Sequence, residues 1–200
     1  MNATTKQRIV EAGAALFRRQ GYSGTGMKQI AAEAPAPFGS IYHFFPGGKD
    51  ELGAEVIRIS GRAYGQLVPM VFDAEPDVAI ATRNFFIGAA NALRASEFED
   101  ACPIATVALE VASTNELLRL ATAEVFESWI KALAERFKRN GLPARRAREL
   151  AVAMIAILEG AFVLSRAMRD ARHVEVAGEV MAAAVRAALK ERPVGSRKVR

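Results

Sequence analysis

The sequence has little cysteine and little histidine, with one Cys and two His among 200 residues. A single thiol excludes a disulfide within the chain, and so few Cys and His residues argue against a zinc site. The first residues lack the apolar segment of a signal peptide. The longest nearly apolar run, residues 150–165, contains Glu159 and is shorter than the roughly 20 residues that span a bilayer. We therefore expect a cytoplasmic protein with no metal or other cofactor.

Long runs of β-branched residues are also scarce, whereas Ala, Leu, Glu, Arg and Lys are frequent. Apolar residues make up 51% and charged residues 24% of the chain, which excludes a disordered or fibrous protein. Apolar residues recur at helical spacing, and this predicts an all-α fold of about nine helices. The predicted helices cover about 5–20, 27–34, 38–44, 49 to 68 or 72, 77–96, 103–114, 115–140, 144–169 and 174–191.

Acidic residues are slightly outnumbered, so the net charge is +5. The excess of positive charge lies near the two ends of the chain, in the first fifty and the last fifteen residues. A basic N-terminal segment is compatible with nucleic-acid binding, and it is equally compatible with an ordinary solvated helix surface. Charge alone therefore does not decide between these alternatives.

Glycine and proline divide the first fifty residues into three short predicted helices. Gly21 ends the first helix, and Pro46 begins the break after the third. Pro35 and Pro37 end the second, because neither ring fits a helix interior. The second and third helices have the size of a helix-turn-helix that binds DNA. The predicted domains are a DNA-binding domain over 1–48, a ligand-binding and dimerisation domain over 49–191, and a flexible basic tail over 192–200.

The third predicted helix offers small and polar side chains that suit a major groove. Ser40 and Tyr42 are candidate phosphate donors, although Tyr42 could instead be a half-buried aromatic. His43 is interpreted as a DNA contact, the alternative being a plain surface histidine. Lys49 begins the fourth helix, where free N–H groups attract phosphate. The candidate DNA contacts are Thr25 (which could also cap the second helix), Lys28, Phe38, Gly39, Ser40, Tyr42, His43 and Lys49.

Residues 5–52, TKQRIVEAGAALFRRQGYSGTGMKQIAAEAPAPFGSIYHFFPGGKDEL, resemble the N-terminal domain of the TetR family of transcriptional repressors. Cys102-Pro103-Ile104-Ala105, Trp129 and Leu158-Glu159-Gly160-Ala161 are similar to the LmrA/YxaF-type branch. The resemblance implies a homodimer that binds a palindromic DNA operator. It also implies release from DNA when a small apolar or aromatic molecule enters the C-terminal domain.

The chain departs from the family pattern at two positions in this region. Pro35 stands where the family usually has a glycine, and a glycine can adopt positive φ whereas a proline cannot. We therefore expect a turn that is built differently. Phe38 stands where a polar or basic residue is common, and it could pack only on a thymine methyl group. Operator preference should then differ, and the alternative function is a ligand-binding dimer that has lost specific DNA binding.

The last two predicted helices carry the candidate dimer interface. Residues 150–164 are apolar on nearly all sides, which indicates burial on more than one face. Two such helices from each of two subunits would form a four-helix interface. The candidate interface residues are Ile155, Leu158, Val180, Met181, Ala184 and Ala188.

Aromatic and thioether side chains with a few polar groups among them are candidates for an effector pocket. Ordinary core packing is the alternative for each apolar member. A buried carboxylate is costly unless it is paired, so Glu110 or Glu159 either meets an arginine such as Arg166 or faces a cavity. The candidates are Met70, Phe72, Phe86, Asn91, Thr106, Glu110, Ser113, Trp129, Glu159 and Phe162.

No catalytic constellation is recognisable in the sequence. A phosphate-binding glycine loop, a metal-ligand spacing and a paired nucleophile and base are all lacking. Cys102 is interpreted as a small buried apolar residue at a helix start, because neither histidine is near it in sequence. We therefore predict a ligand-responsive regulator rather than an enzyme.

Overall fold

The computed structural model describes residues 4–191, and this range is all-α, as predicted, with ten helices and no strand. The described residues form two compact units, residues 4–66 with Leu93–Ser128 and Leu67–Ala92 with residues 129–191. The predicted domain boundaries stay predictions, and the predicted tail, 192–200, lies outside the described residues. The helices are α1 (Thr5–Gln20), α2 (Met27–Glu33), α3 (Phe38–Phe44), α4 (Gly48–Gly65), α5 (Leu67–Phe72), α6 (Val78–Ala95), α7 (Pro103–Val111), α8 (Glu116–Arg139), α9 (Ala144–Met168) and α10 (Arg172–Lys190).

Local signals in the sequence account for the start and end of α1. The Thr4 hydroxyl accepts the N–H of Gln7 at 3.2 Å, and the Gln7 side chain accepts the N–H of Thr4 at 2.7 Å. This reciprocal pair satisfies two N–H groups that the first helical turn leaves free. Gly21 follows the last residue of α1 with φ +75°, a conformation that favours glycine. The predicted bounds of α1 are therefore confirmed.

The predicted fourth helix is divided in two, which corrects the expectation that it continues to residue 68 or 72. It ends at Gly65, and Leu67 begins the separate helix α5. Pro69 explains the break, because a proline has no N–H to donate to the carbonyl of Gly65 and its ring collides with that carbonyl. Residues 4–191 therefore contain one helix more than was predicted.

The helix-turn-helix is held by a small apolar core in the first unit. Ile9, Phe17, Ile30, Ile41 and Phe45 are all buried, and they come from α1, α2 and α3 with its C-terminal neighbour. Burial of such a side chain contributes about 1.5–3 kcal/mol. This core fixes the orientation of α3, the helix that the sequence assigns to DNA recognition.

Pro35 occupies the glycine position of a helix C-terminal turn after α2. The N–H of Ala36 donates to the carbonyl of Ala31 at 3.1 Å, which is the long hydrogen bond of a Schellman motif. Pro35 has φ +26°, so the expectation that a proline would avoid positive φ here was wrong. The turn thus has positive φ at Pro35, and the proline ring, which prefers φ near −65°, is strained in it.

Replacing Pro35 by glycine is expected to stabilise the protein by about 1–2 kcal/mol. Relief of strain, about 1–3 kcal/mol, outweighs the extra chain entropy of glycine, about 0.4–1 kcal/mol. The measurement is urea unfolding followed by circular dichroism. Pro37 has an ordinary φ of −56°, so Pro37→Gly is the matched control and should lower stability. An unchanged or lower stability of Pro35→Gly would contradict the strained turn.

The second unit contains a close helix contact between α6 and α10. A Cβ added to Gly178 would lie 2.5 Å from the Cβ of Phe86, so only glycine permits this approach. Phe86 and Phe72 are buried, and the ring of Phe72 lies 6.1 Å from that of Phe137. These aromatic side chains are therefore packed core residues of this unit.

Helices α9 and α10 pack on each other and leave an apolar face exposed. Leu158, Met181 and Ala188, three predicted interface residues, are buried inside the protomer and retain little surface for a partner. Ile155 and Ala184 are half-buried. The exposed face consists of Val152, Ala156, Gly160, Val163, Leu164 and Ala167 on α9 and of Val176, Val180, Ala183 and Ala187 on α10. We call this set the α9–α10 stripe.

The length of α9 corrects one sequence expectation. The run over 150–165 is short, but the whole helix has 25 residues and is long and apolar enough to cross a membrane by length and composition. A single such helix is weak evidence for insertion. An apolar face of this kind is equally typical of a subunit interface, because both contexts bury apolar surface.

Candidate nucleic-acid interface

The outer face of α3 exposes the residues that the sequence assigns to base and phosphate contacts. Phe38 is 44% and Tyr42 47% exposed, and Gly39 and His43 are also exposed. The rings of Phe38 and Tyr42 lie 5.5 Å apart in an edge-to-face arrangement. Tyr42 is thus not the half-buried aromatic of the alternative interpretation. This face offers a ring pair, a hydroxyl and an imidazole to a partner.

Pro37 and Ile41 fix the position of α3 beneath that face. Pro37 precedes the helix, and its carbonyl accepts the N–H of Ser40 at 2.9 Å. Ile41 is fully buried and holds the inner side of the helix. Ser40 is half-buried at the margin of the exposed face. Residues of the two sides alternate at helical spacing, so burial of one side orients the other outward.

Thr25 and Lys28 differ in their exposure. Thr25 is buried, and its hydroxyl donates to the carbonyl of Gly21 at 2.7 Å. That hydroxyl is not available to a phosphate, so we exclude Thr25 from the proposed DNA contacts. Gly26 caps α2 instead, and its N–H donates to the Gln29 side chain at 2.7 Å. Lys28 is exposed on α2.

The side chain of Lys49 points toward Tyr22 in the turn that follows α1. Its ammonium group lies 4.2 Å from the ring centre of Tyr22, a cation–π contact. Burial lowers the pKa of Lys49, and the charges of Glu110 and Asp50 oppose that shift. The Tyr22 hydroxyl donates to Asp50, and burial together with this bond raises the pKa of Tyr22. We therefore assign Lys49 to positioning of Tyr22 rather than to phosphate contact.

Glu110 on α7 binds the backbone of the turn that follows α1. Its carboxylate accepts the N–H of Tyr22 at 3.2 Å and the N–H of Ser23 at 2.6 Å. We call this pair of hydrogen bonds the Glu110–turn contact. The sequence predicted that this carboxylate would meet an arginine or face a cavity, whereas it accepts hydrogen bonds from two backbone amides. The partners are distant in sequence and carry no shared motif, so sequence reasoning missed them.

The other predicted effector residues do not form one recognisable set. Phe72, Phe86 and Trp129 are buried, whereas Met70, Asn91 and Ser113 are exposed. Thr106, Glu159 and Phe162 are half-buried. Thr106, Glu110 and Ser113 belong to the first unit and the rest to the second. A groove of about 190 Å³ in the first unit has none of them in its lining, which is Lys6, Phe44, Phe45, Glu51, Ala54, Glu55, Arg58 and Leu117.

Comparison with known proteins identifies two family matches. Residues 9–56 match the family described as bacterial regulatory proteins, tetR family, and residues 78–180 match the LmrA/YxaF-like transcriptional regulator C-terminal domain. The HTH-type transcriptional regulator YxaF of Bacillus subtilis is 32% identical over 166 residues, which are 83% of this chain and 87% of that protein.

Further relatives agree with these matches. HTH-type transcriptional regulator LmrA of Bacillus subtilis is 31% identical over 161 residues, covering 80% of this chain and 86% of LmrA. A TetR transcriptional regulator from Legionella pneumophila has a similar crystal structure, with a TM-score of 0.81 at 24% identity. That likeness covers 92% of this chain and 99% of the Legionella chain, and at this identity it concerns the fold alone.

Proposed function

This chain belongs to the TetR family of bacterial transcriptional regulators, in its LmrA/YxaF-like branch, and from that premise we propose that it is a ligand-released repressor. It is a DNA-binding regulator, and its relatives are regulators rather than enzymes. The observation that carries the proposal is the exposed outer face of α3, where Phe38, Gly39, Tyr42 and His43 lie together.

In the proposed complex, α3 enters the major groove of a DNA operator. Tyr42 and Ser40 donate hydroxyl hydrogen bonds to phosphates, and Lys28 on α2 supplies a positive charge beside them. His43 and Gly39 lie next to the base edges. Because phosphate contacts carry no sequence information, Phe38 and its neighbours must supply the sequence preference.

The proposed regulator is a homodimer that buries the α9–α10 stripe. A two-fold dimer places the same stripe on both subunits, so its apolar surface is covered by its own copy. Two copies of α3 would then lie about 34–36 Å apart, or a multiple of that distance, and would bind a palindromic operator. We place this dimer in the cytoplasm, where its DNA is.

The proposed effector is a small apolar or aromatic molecule that binds among the residues of the C-terminal region. Glu159 and Phe162 of the second unit are half-buried and remain candidate contacts, together with Trp129 of the same unit. Binding would favour a state in which the two α3 helices no longer match the operator spacing. By thermodynamic linkage, operator DNA must then weaken effector binding by the same factor.

The test is selection of bound sequences from a random duplex DNA library at about 150 mM salt, where weak electrostatic association is suppressed. We expect a palindromic consensus and a steep fall of affinity as salt is raised. Tyr42→Phe should weaken binding to all sequences alike, because it removes the hydroxyl that contacts phosphate and keeps the ring. Leu109→Ala is the matched control, since Leu109 is 82% exposed and belongs to α7, outside the helix-turn-helix. Failure of a folded dimer to select any sequence would favour the ligand-binding dimer without specific DNA binding.

A further inference from the structure

Phe38 is an exposed aromatic residue with a fixed position on the proposed DNA-reading face. It is the first residue of α3 and follows Pro37, whose ring restricts the backbone before it. The rings of Phe38 and Tyr42 pack edge to face, with 5.5 Å between their centres. Such edge-to-face pairs are favourable beyond the apolar area that they bury. The ring therefore has a preferred orientation in the absence of DNA.

The surroundings of Phe38 favour close approach of a small apolar group. Gly39 lies beside it, and a Cβ added there would meet nothing within 4 Å. Phe38 has no hydrogen-bond donor or acceptor, so it cannot bind the polar edge of any base. In the major groove, only thymine presents a methyl group, at its C5 position. The chemistry of this residue therefore matches one base of the four.

We propose that Phe38 determines operator specificity by packing on the 5-methyl group of one thymine in each half-site. Tyr42 is the positioning residue that holds the Phe38 ring while its own hydroxyl binds phosphate. This inference rests on the proposed DNA-binding function, and it adds the identity of the base that is read.

The experiment uses the full-length protein and the palindromic consensus selected from the random library. Each thymine is replaced in turn by deoxyuracil, which removes the methyl group and leaves base pairing unchanged. We expect one symmetric position at which the dissociation constant rises about fourfold per half-site, since a buried methyl contributes about 0.8 kcal/mol. All other thymines should tolerate the replacement.

Variants then assign that effect to Phe38. Phe38→Ala should weaken binding to the thymine operator and make the thymine and deoxyuracil operators equivalent. Tyr42→Phe keeps the ring pair and removes the hydroxyl, so it should weaken binding to both operators and preserve their ratio. Because the deoxyuracil measurement on the unmodified protein needs no variant, poor folding of Phe38→Ala would not leave the proposal undecided.

Three results would overturn the proposal. These are a consensus without a fixed thymine in each half-site, a protein that binds both operators equally, and a thymine preference that persists in Phe38→Ala. If no consensus is recovered at all, the proposed function fails and this inference fails with it. A consensus that is insensitive to deoxyuracil overturns the inference alone.

Discussion

Replacing Gly21 by alanine is expected to lower the free energy of unfolding by about 4 kcal/mol or more, through backbone strain and the loss of two hydrogen bonds to a charged group. Gly21 has φ +75° and ψ 176°, a region that only glycine adopts readily, and other residues there cost about 1–3 kcal/mol. The new Cβ would also lie 1.9 Å from a carboxylate oxygen of Glu110. Glu110 must therefore move, and the Glu110–turn contact is lost at about 1.5–3 kcal/mol per charged hydrogen bond.

Urea unfolding measures this effect, and two variants separate its components. Gly88→Ala is the matched control, because Gly88 is an exposed residue of α6 with nothing within 4 Å of an added Cβ. Gly88→Ala should leave the free energy of unfolding unchanged or raise it slightly. In a Glu110→Gln background the penalty of Gly21→Ala should shrink, because part of the contact is already lost. A penalty below about 0.5 kcal/mol in the wild-type background would contradict the proposed role of this turn.

The Glu110–turn contact also predicts a change in DNA binding. It joins α7 to the segment between α1 and α2, so its loss frees the turn that supports α2. In Gly21→Ala, the α1–α2 turn should exchange its amide hydrogens faster, and operator affinity should fall. The ring centres of Phe17 and Tyr22 lie 5.5 Å apart. This core contact does not involve Glu110 and should remain in the variant. The fold should therefore survive while the orientation of the helix-turn-helix loosens.

The sequence predicted the helices of the DNA-binding region well because their signals are local. The capping pair at Thr4, the glycine at residue 21 and the prolines at 35 and 37 act within a few residues of the helix ends. The bounds of α1 and α3 followed from such signals. The break at Gln66 was missed because the proline that causes it, Pro69, lies four residues beyond Gly65 inside an otherwise helical pattern.

Contacts between distant segments were not predictable from the sequence. Glu110 was predicted to meet an arginine or to face a cavity, whereas its partners are two backbone amides that lie 87 and 88 residues away. Similarly, apolar periodicity predicted burial of α9 on more than one side. It could not show that Leu158 faces the protomer core while Val163 faces outward, since both are apolar.

Substituting Val163 by lysine is expected to raise the dimer dissociation constant about 100-fold or more and to abolish operator binding. Val163 is 59% exposed near the middle of the α9–α10 stripe. In a two-fold dimer each substitution appears twice, so two unpaired ammonium groups would enter one apolar interface. An uncompensated buried charge costs about 3–5 kcal/mol, and every 1.4 kcal/mol is about tenfold in affinity. Val180→Lys on α10, at 58% exposure, should act in the same way.

Sedimentation velocity across a range of protein concentrations measures the dissociation, and circular dichroism shows whether the protomer remains helical. Leu109→Lys is the matched control, because it also places a lysine at an exposed apolar residue but lies on α7, outside the stripe. It should leave both dimerisation and operator binding unchanged. A Val163→Lys protein that stays dimeric would show that the stripe is not the interface. A monomer that still binds the full palindrome as tightly would separate DNA recognition from dimerisation, because a single α3 reads only one half-site.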